Sequence, residues 1–302
     1  MRVVAGVLAR GERIQLTTDG VHGLRDLDSR TRRRRLEQQV LEVVRGTGLR
    51  RRLVARAHPD PDAEGGRALA MWTTLQLDKE LASDDEDERK ECADLVALLT
   101  PIVKAFLTDN GHIATNACMQ VFGGHGFIKE WGMEQYVRDN RINMIYEGTN
   151  TIQSLDLLGR KVLGNNGATL QKFGKLVGKL VMEEGVNEKM AEFINPIAYL
   201  GEQMTKFTTE IGFKGFQNPD EVGAAAVDYL RVAGHLVFGY LFARMAQVAL
   251  REIAAGNTDP FYGAKLQTAR FYFAKLFPET ATLMRTARVG SKVLMDTDLA
   301  LA

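Results

Sequence analysis

From residue 61 onward, apolar positions recur at helical spacing and almost never alternate as they would in a strand. Residues 63–81 are rich in Ala, Leu and Met, and place Leu69, Trp72, Leu75 and Leu77 near one face of a predicted helix. The acidic run from Ser83 to Glu88 reads as a solvated turn with Ser83 as the N-cap of the next helix. In that helix Leu95, Leu98 and Leu99 continue the stripe. Thr100-Pro101 pairs a capping residue with proline at a first helical position, which predicts a fresh start there. Ile102, Phe106, Ile113, Ala117 and Val121 carry the pattern on, Asn110-Gly111 leaves its continuity open, and Gly123-Gly124 stops it. Four breakers at residues 164–167 form the clearest linker. Beyond it, residues 170–182, 189–211, 220–255 and 263–294 are each long enough for one or more helices. The prediction is all-α: an antiparallel bundle over residues 61–163 and a second helical unit over 164–302, packed on it.

Composition agrees with a soluble globular chain, at 45% hydrophobic and 25% charged residues among 302. It excludes disorder, collagen and a disulfide scaffold as descriptions of the whole. Cys92 and Cys118 form no Cys-x-x-Cys, which suits a reduced, cytoplasmic setting. Arg231, His235 and Arg244 interrupt the most apolar stretch, so no membrane span is expected. Arg10, Glu12 and Arg13 cut off the apolar opening too early for a secretory signal.

The net charge of +1 conceals an uneven distribution: residues 1–60 hold 14 arginines, no lysine and seven acids. A run such as Arg32 to Arg35 can track phosphates. Residues 1–60 contain no aromatic side chain on which a base could stack, and nucleic-acid binding is disfavoured for that reason. The break in composition points to a segment of separate origin, expected to be poorly packed and largely exposed.

Several common active sites are absent. None of the four serines lies in Gly-x-Ser-x-Gly, no His-Glu-x-x-His or paired His/Cys spacing offers a metal site, and there is no Walker A loop. The informative blocks are Gln120-Val121-Phe122-Gly123-Gly124-His125-Gly126-Phe127 and Ile145-Tyr146-Glu147-Gly148-Thr149-Asn150. The first is a helix end whose glycines admit a close backbone approach, with His125 most simply a structural donor. In the second, Glu147 ends an apolar run before a glycine. Thr149, Asn150 and Thr151 supply caps for the helix that follows, and Asn150 with Gln153 resembles a capping box. A carboxylate held beside apolar side chains gains proton affinity and suits abstraction of a carbon-bound proton. On spacing alone, an ordinary surface carboxylate remains the competing reading.

In those two blocks, in their order and separation, residues 62 to about 163 closely resemble the C-terminal helical domain of acyl-CoA dehydrogenases. Residues 165–302 look like the helical extension of the larger bacterial fatty-acyl and 3-methylmercaptopropionyl-CoA dehydrogenases. The resemblance implies an FAD-dependent oxidoreductase. Glu147 would remove the α-proton of an acyl-CoA thioester, and a hydride would pass from the β-carbon to flavin N5, giving a trans-2-enoyl-CoA. Gly148 would lie against the thioester, and Thr149, Asn150 and Thr151 beside the flavin. Gln120, Val121, Phe122, Gly123 and Gly124 would touch FAD bound mainly by a neighbouring subunit, which implies a homo-oligomer. An electron acceptor is implied but not identified.

The departures are equally specific. The family's N-terminal helical domain and middle β-domain have no counterpart here, and the arginine contact to FAD from the first C-terminal helix cannot be placed. The expectation is therefore a C-terminal portion with the catalytic glutamate retained and the flavin pocket incomplete. The alternative is a non-enzymatic helical remnant, or a partner module of a full-length relative.

Overall fold

The computed structural model of the chain describes residues 61–296. The expectations for residues 1–60 lie outside the described residues. The eleven helices described are α1 (Pro61–Ala82), α2 (Glu86–Val121), α3 (Gly124–Phe127), α4 (Met133–Ile142), α5 (Asn150–Leu155), α6 (Ala168–Glu184), α7 (Ala191–Gln217), α8 (Asp220–Ala254), α9 (Pro260–Phe271), α10 (Glu279–Ala287) and α11 (Lys292–Met295). Helices α5 and α9 each run on into a π-helical stretch, Asp156–Val162 and Tyr272–Leu276. No strand occurs among the described residues, as the spacing predicts. The described residues fall into two compact units, one of residues 112–140 and one of residues 61–111 with 141–296.

The larger unit is built around α8. This helix is apolar on all sides, and a helix of that kind must be surrounded by others. It packs against α7, α9, α10, α5 and α1. By length and composition it could cross a membrane, but 78% of its most apolar window is buried inside the protein. It is a core helix. Two glycines make its packing close. A Cβ on Gly234 would stand 2.5 Å from the Phe106 ring of α2, and one on Gly239 would stand 2.8 Å from Phe277. Phe106 sits edge-on to Phe238 at 4.9 Å, and Phe242 stacks on Tyr272 at 4.5 Å. The core crosses the turn at residues 164–167, since Leu157, Leu158 and Val162 before it share one cluster with Phe173 and Val177 after it.

Local departures from the predicted pattern have physical causes. Helix α2 does not restart at Thr100-Pro101 but continues through both, and through Asn110-Gly111. A proline in a helix interior costs about 3 kcal/mol. The buried Leu98, Leu99, Ile102 and Phe106 around it contribute roughly 1.5–3 kcal/mol each, so packing wins. Thr100 Oγ1 turns back to donate to the Val96 carbonyl at 2.7 Å. The cap of α2 is Asp85, not Ser83: Asp85 Oδ1 accepts from the backbone N–H groups of Asp87 and Glu88, while Ser83 Oγ donates to Glu88. In α1 the inward face carries Glu64, Leu69 and Gln76, and Leu75 and Leu77 are exposed. Buried Glu64 is met by Lys265 of α9 at 2.6 Å, and Gln76 accepts from Cys92. The four downstream segments are helical as predicted, the last broken near Pro278 and Gly290.

Candidate active site

Glu147 lies on the turn between α4 and α5. The N–H groups of Ile145 and Tyr146 donate to the Ile142 carbonyl at 2.9 and 3.1 Å, which winds the chain tightly out of α4. Glu147 and Gly148 then both adopt positive φ, 56° and 79°. For glycine this is free, but for a residue with a Cβ the left-handed region costs roughly 1–2 kcal/mol. Such strain persists only where surrounding contacts over-determine the backbone. Those contacts are present. The Asn150 N–H closes the loop on the Met144 carbonyl at 3.2 Å, and Gln153 Nε2 donates to the Glu147 carbonyl at 3.0 Å.

Thr149 is the N-cap of α5, its hydroxyl accepting from the Ile152 N–H at 3.4 Å. Asn150 and Gln153 do not form the anticipated capping box. Asn150 already lies inside the helix, and Gln153 reaches past the cap to Glu147. The Asn150 side chain instead faces α2. Its Oδ1 accepts from Lys104 Nζ at 2.7 Å, and its Nδ2 donates to Asp109 Oδ1 at 2.6 Å and to Thr108 Oγ1 at 3.0 Å. Lys104 Nζ also donates to the Gly148 carbonyl at 2.7 Å. Burial draws the Lys104 pKa below its ordinary value, against the opposing pull of Asp109. Both ends of the Asn150 amide thus have protein partners.

The surroundings of Glu147 differ from the apolar wall anticipated from its sequence neighbours. Glu147, Gly148, Thr149 and Thr151 are exposed, and Ile145 and Tyr146 are themselves 46% and 51% exposed. The turn shows its apolar side chains to solvent. A groove of about 1270 Å³ between α6 and α7, lined by Leu170, Val177, Met204 and Phe213 among others, touches none of the site residues. That groove is not where the candidate chemistry lies.

The other motif belongs to the unit of residues 112–140. Gln120, Gly123 and Gly124 are exposed, and Val121 and Phe122 are half-buried. Gly123 has φ 57°, and a Cβ on it or on Gly124 would meet nothing within 4 Å. The close approach expected of these glycines occurs instead at Gly126, whose Cβ would stand 2.2 Å from the Met119 carbonyl oxygen. His125 packs edge-on against Trp131 at 5.0 Å, a structural contact. No cluster of metal-ligating side chains occurs among the described residues.

Two family profiles cover this chain. Residues 62–163 match "Acyl-CoA dehydrogenase, C-terminal domain" and residues 168–298 match "Acetyl-CoA dehydrogenase C-terminal like". The chain belongs to the acyl-CoA dehydrogenase family, in its C-terminal region. The 3-methylmercaptopropionyl-CoA dehydrogenase of Ruegeria pomeroyi is 35% identical over 237 residues, covering 76% of this chain and 40% of that protein. The broad-specificity linear acyl-CoA dehydrogenase FadE5 of Mycobacterium tuberculosis is 26% identical over 247 residues, covering 78% and 40%. The chain spans about two fifths of the length of the curated relatives it matches. Among solved structures, Caenorhabditis elegans ACDH-11 in complex with C11-CoA aligns at a TM-score of 0.65 and 17% identity, covering 88% of this chain and 46% of that one. That likeness is one of fold. The acyl-CoA dehydrogenase profiles meet at the turn of residues 164–167.

Proposed function

We propose that this chain is the base-bearing C-terminal portion of an FAD-dependent acyl-CoA dehydrogenase, and that Glu147 is its catalytic base. The observation that carries this reading is the left-handed backbone of Glu147 in the motif the family shares, a turn held by three separate contacts, two of them from Lys104 and Gln153 outside the motif. Strain of this kind at a residue with a Cβ collects at functional positions. The Glu147 carboxylate would take the proton from the α-carbon of an acyl-CoA thioester, as the α,β bond becomes double and the trans-2-enoyl-CoA forms. Gly148 would lie against the thioester; its φ of 79° suits glycine, and a Cβ there would stand 3.0 Å from Gln153 Nε2, the side chain that anchors the turn.

The residues present in each unit, taken separately, fit part of a flavin site. In one unit the open space above Gly123 and Gly124 admits a flat group; in the other the exposed Thr149 and Thr151 offer hydroxyls to a polar edge. Thr149, Asn150 and Thr151 would lie beside FAD, and Gln120, Val121, Phe122, Gly123 and Gly124 would serve a neighbouring subunit's cofactor in a homo-oligomer. FAD, when bound, accepts the hydride from the β-carbon. A reduced, cytoplasmic setting agrees with two cysteines that form no Cys-x-x-Cys.

The exposure of Glu147 favours a second reading, a helical module that works only beside a longer relative. Titration with FAD separates the two. The chain is mixed with the portion of the Ruegeria relative that it does not span, and flavin absorbance is followed as a saturated acyl-CoA is added. Bound flavin that bleaches supports the enzymatic reading. Bound flavin that stays oxidised supports the module.

A further inference from the structure

Two successive carbonyl oxygens on the Glu147 turn are each anchored by a long side chain from a different helix. Gln153 of α5 holds that of Glu147 at 3.0 Å, and Lys104 of α2 holds that of Gly148 at 2.7 Å. These belong to the two residues with positive φ on the turn. The bonds fix the peptide planes that follow each Cα, while the Asn150 N–H fixes the loop from its other side. Lys104 is itself held. The Asn150 amide bridges it to Asp109, cation at the oxygen and anion at the nitrogen, with Thr108 and the Ala105 carbonyl completing the set. Nothing in this chain of bonds touches the Glu147 carboxylate. It acts on the backbone from which that carboxylate projects.

We propose that Lys104 and Gln153 are positioning residues for the base, locking the strained turn that aims Glu147, with Asn150 and Asp109 fixing Lys104. The proposal rests on the reading of Glu147 as the base. It assigns a role to a lysine more than forty residues upstream of the motif, outside both of the informative sequence blocks. A charged donor on a carbonyl is stronger than a neutral one, and here it works in a partly desolvated place.

The test begins with the 302-residue chain itself. Lys104→Met keeps the stem but removes the ammonium, Lys104→Arg restores a charged donor, and Gln153→Leu cuts the second anchor. The readouts are the HN–Hα coupling of Glu147, which reports its φ, and the exchange rate of the Asn150 amide. Lys104→Met and Gln153→Leu should each shift the coupling and speed exchange by about 10–10²-fold, the equivalent of one hydrogen bond to a charged or well-placed group. Lys104→Arg should restore both in part. In the FAD-loaded assembly with the Ruegeria portion, Lys104→Met should slow flavin reduction by about 10–10²-fold, as a misaimed base does, with acyl-CoA affinity unchanged. Unchanged coupling and exchange in both variants would overturn the proposal. So would a loosened turn with undiminished flavin reduction. If Lys104→Met does not fold, Gln153→Leu carries the same two readouts. Should Glu147→Gln leave reduction intact, the base reading fails and takes the proposal with it, and the coupling and exchange data tell that failure from a clamp that never held.

Discussion

At Glu147 the motif was legible in the sequence but its geometry was not. Ile145, Tyr146 and Gly148 announce a carboxylate on a turn, and their apolar character suggests a sheltered one. Shelter depends on what else covers the turn, and no local pattern encodes that. The positive φ was equally hidden, because glutamate gives no signal for it. The strain makes a prediction. Glu147→Gly relieves roughly 1–2 kcal/mol of left-handed cost and adds roughly 0.5–1 kcal/mol of chain entropy to the unfolded state. The variant should therefore be more stable than the natural chain by about 0.5–1 kcal/mol in urea unfolding, while losing the proposed base. A variant less stable by that amount would mean that the Glu147 side chain itself supports the turn. Gly234 makes the opposite case. Its Cβ position lies 2.5 Å from a Phe106 ring packed on every side, so the ring cannot step back cheaply. Gly234→Ala should cost about 1–3 kcal/mol, read as a lowered urea midpoint with an unchanged m-value.

At the scale of elements, periodicity found the helices and failed where tertiary contacts overrode local signals. Thr100-Pro101 carries the marks of a helix start, but the burial of Leu98, Leu99, Ile102 and Phe106 outweighs the missing N–H. The fixing of Asn150 by Lys104 could not be read, since it joins positions 46 residues apart. Nor could the polar cluster among α8, α10 and the π-helical stretch after α9. There His235 Nδ1 meets the Tyr272 hydroxyl at 2.9 Å, and its Nε2 lies 3.3 Å from Glu279 without the alignment of a hydrogen bond. Arg231 grips Glu279 through two bonds of 2.6 and 3.0 Å. Burial lowers the His235 pKa below 6.5, partly offset by Glu279. Burial raises that of Glu279, but His235 and Arg231 outweigh it and bring it to about 2 from 4.5.

Both shifts are downward, so both groups bind fewer protons folded than unfolded, and stability falls as pH falls. His235 contributes fully above pH 6.5, and its contribution declines as the pH drops below that value. The contribution of Glu279 holds above pH 4.5 and is lost as pH drops from there toward about 2. Urea unfolding across pH 3–8 should show His235→Gln flattening the upper part of the decline and Glu279→Gln the lower part. Parallel curves for all three proteins would remove this cluster as a source of pH dependence.

Across the whole molecule, the family boundary and the physical core do not coincide. The two profiles meet at residues 164–167, yet Val162 and Phe173 share one buried cluster across that turn. The breakers there mark a sequence junction, and the packing of α6, α7 and α8 makes it a shared interior. The site is different in kind. The chain spans two fifths of its relatives, and the turn that carries Glu147 lies open. Fold is decided by this chain's own apolar positions, whereas the proposed chemistry needs surfaces that they do not supply. The central claim is therefore tested where those surfaces are restored. In the FAD-loaded assembly with the Ruegeria portion, stopped-flow bleaching by a saturated acyl-CoA should be slower in Glu147→Gln by about 10²–10⁴-fold, with substrate affinity kept, because glutamine preserves the shape but cannot accept the α-proton. Bleaching at the natural rate in that variant would contradict the account.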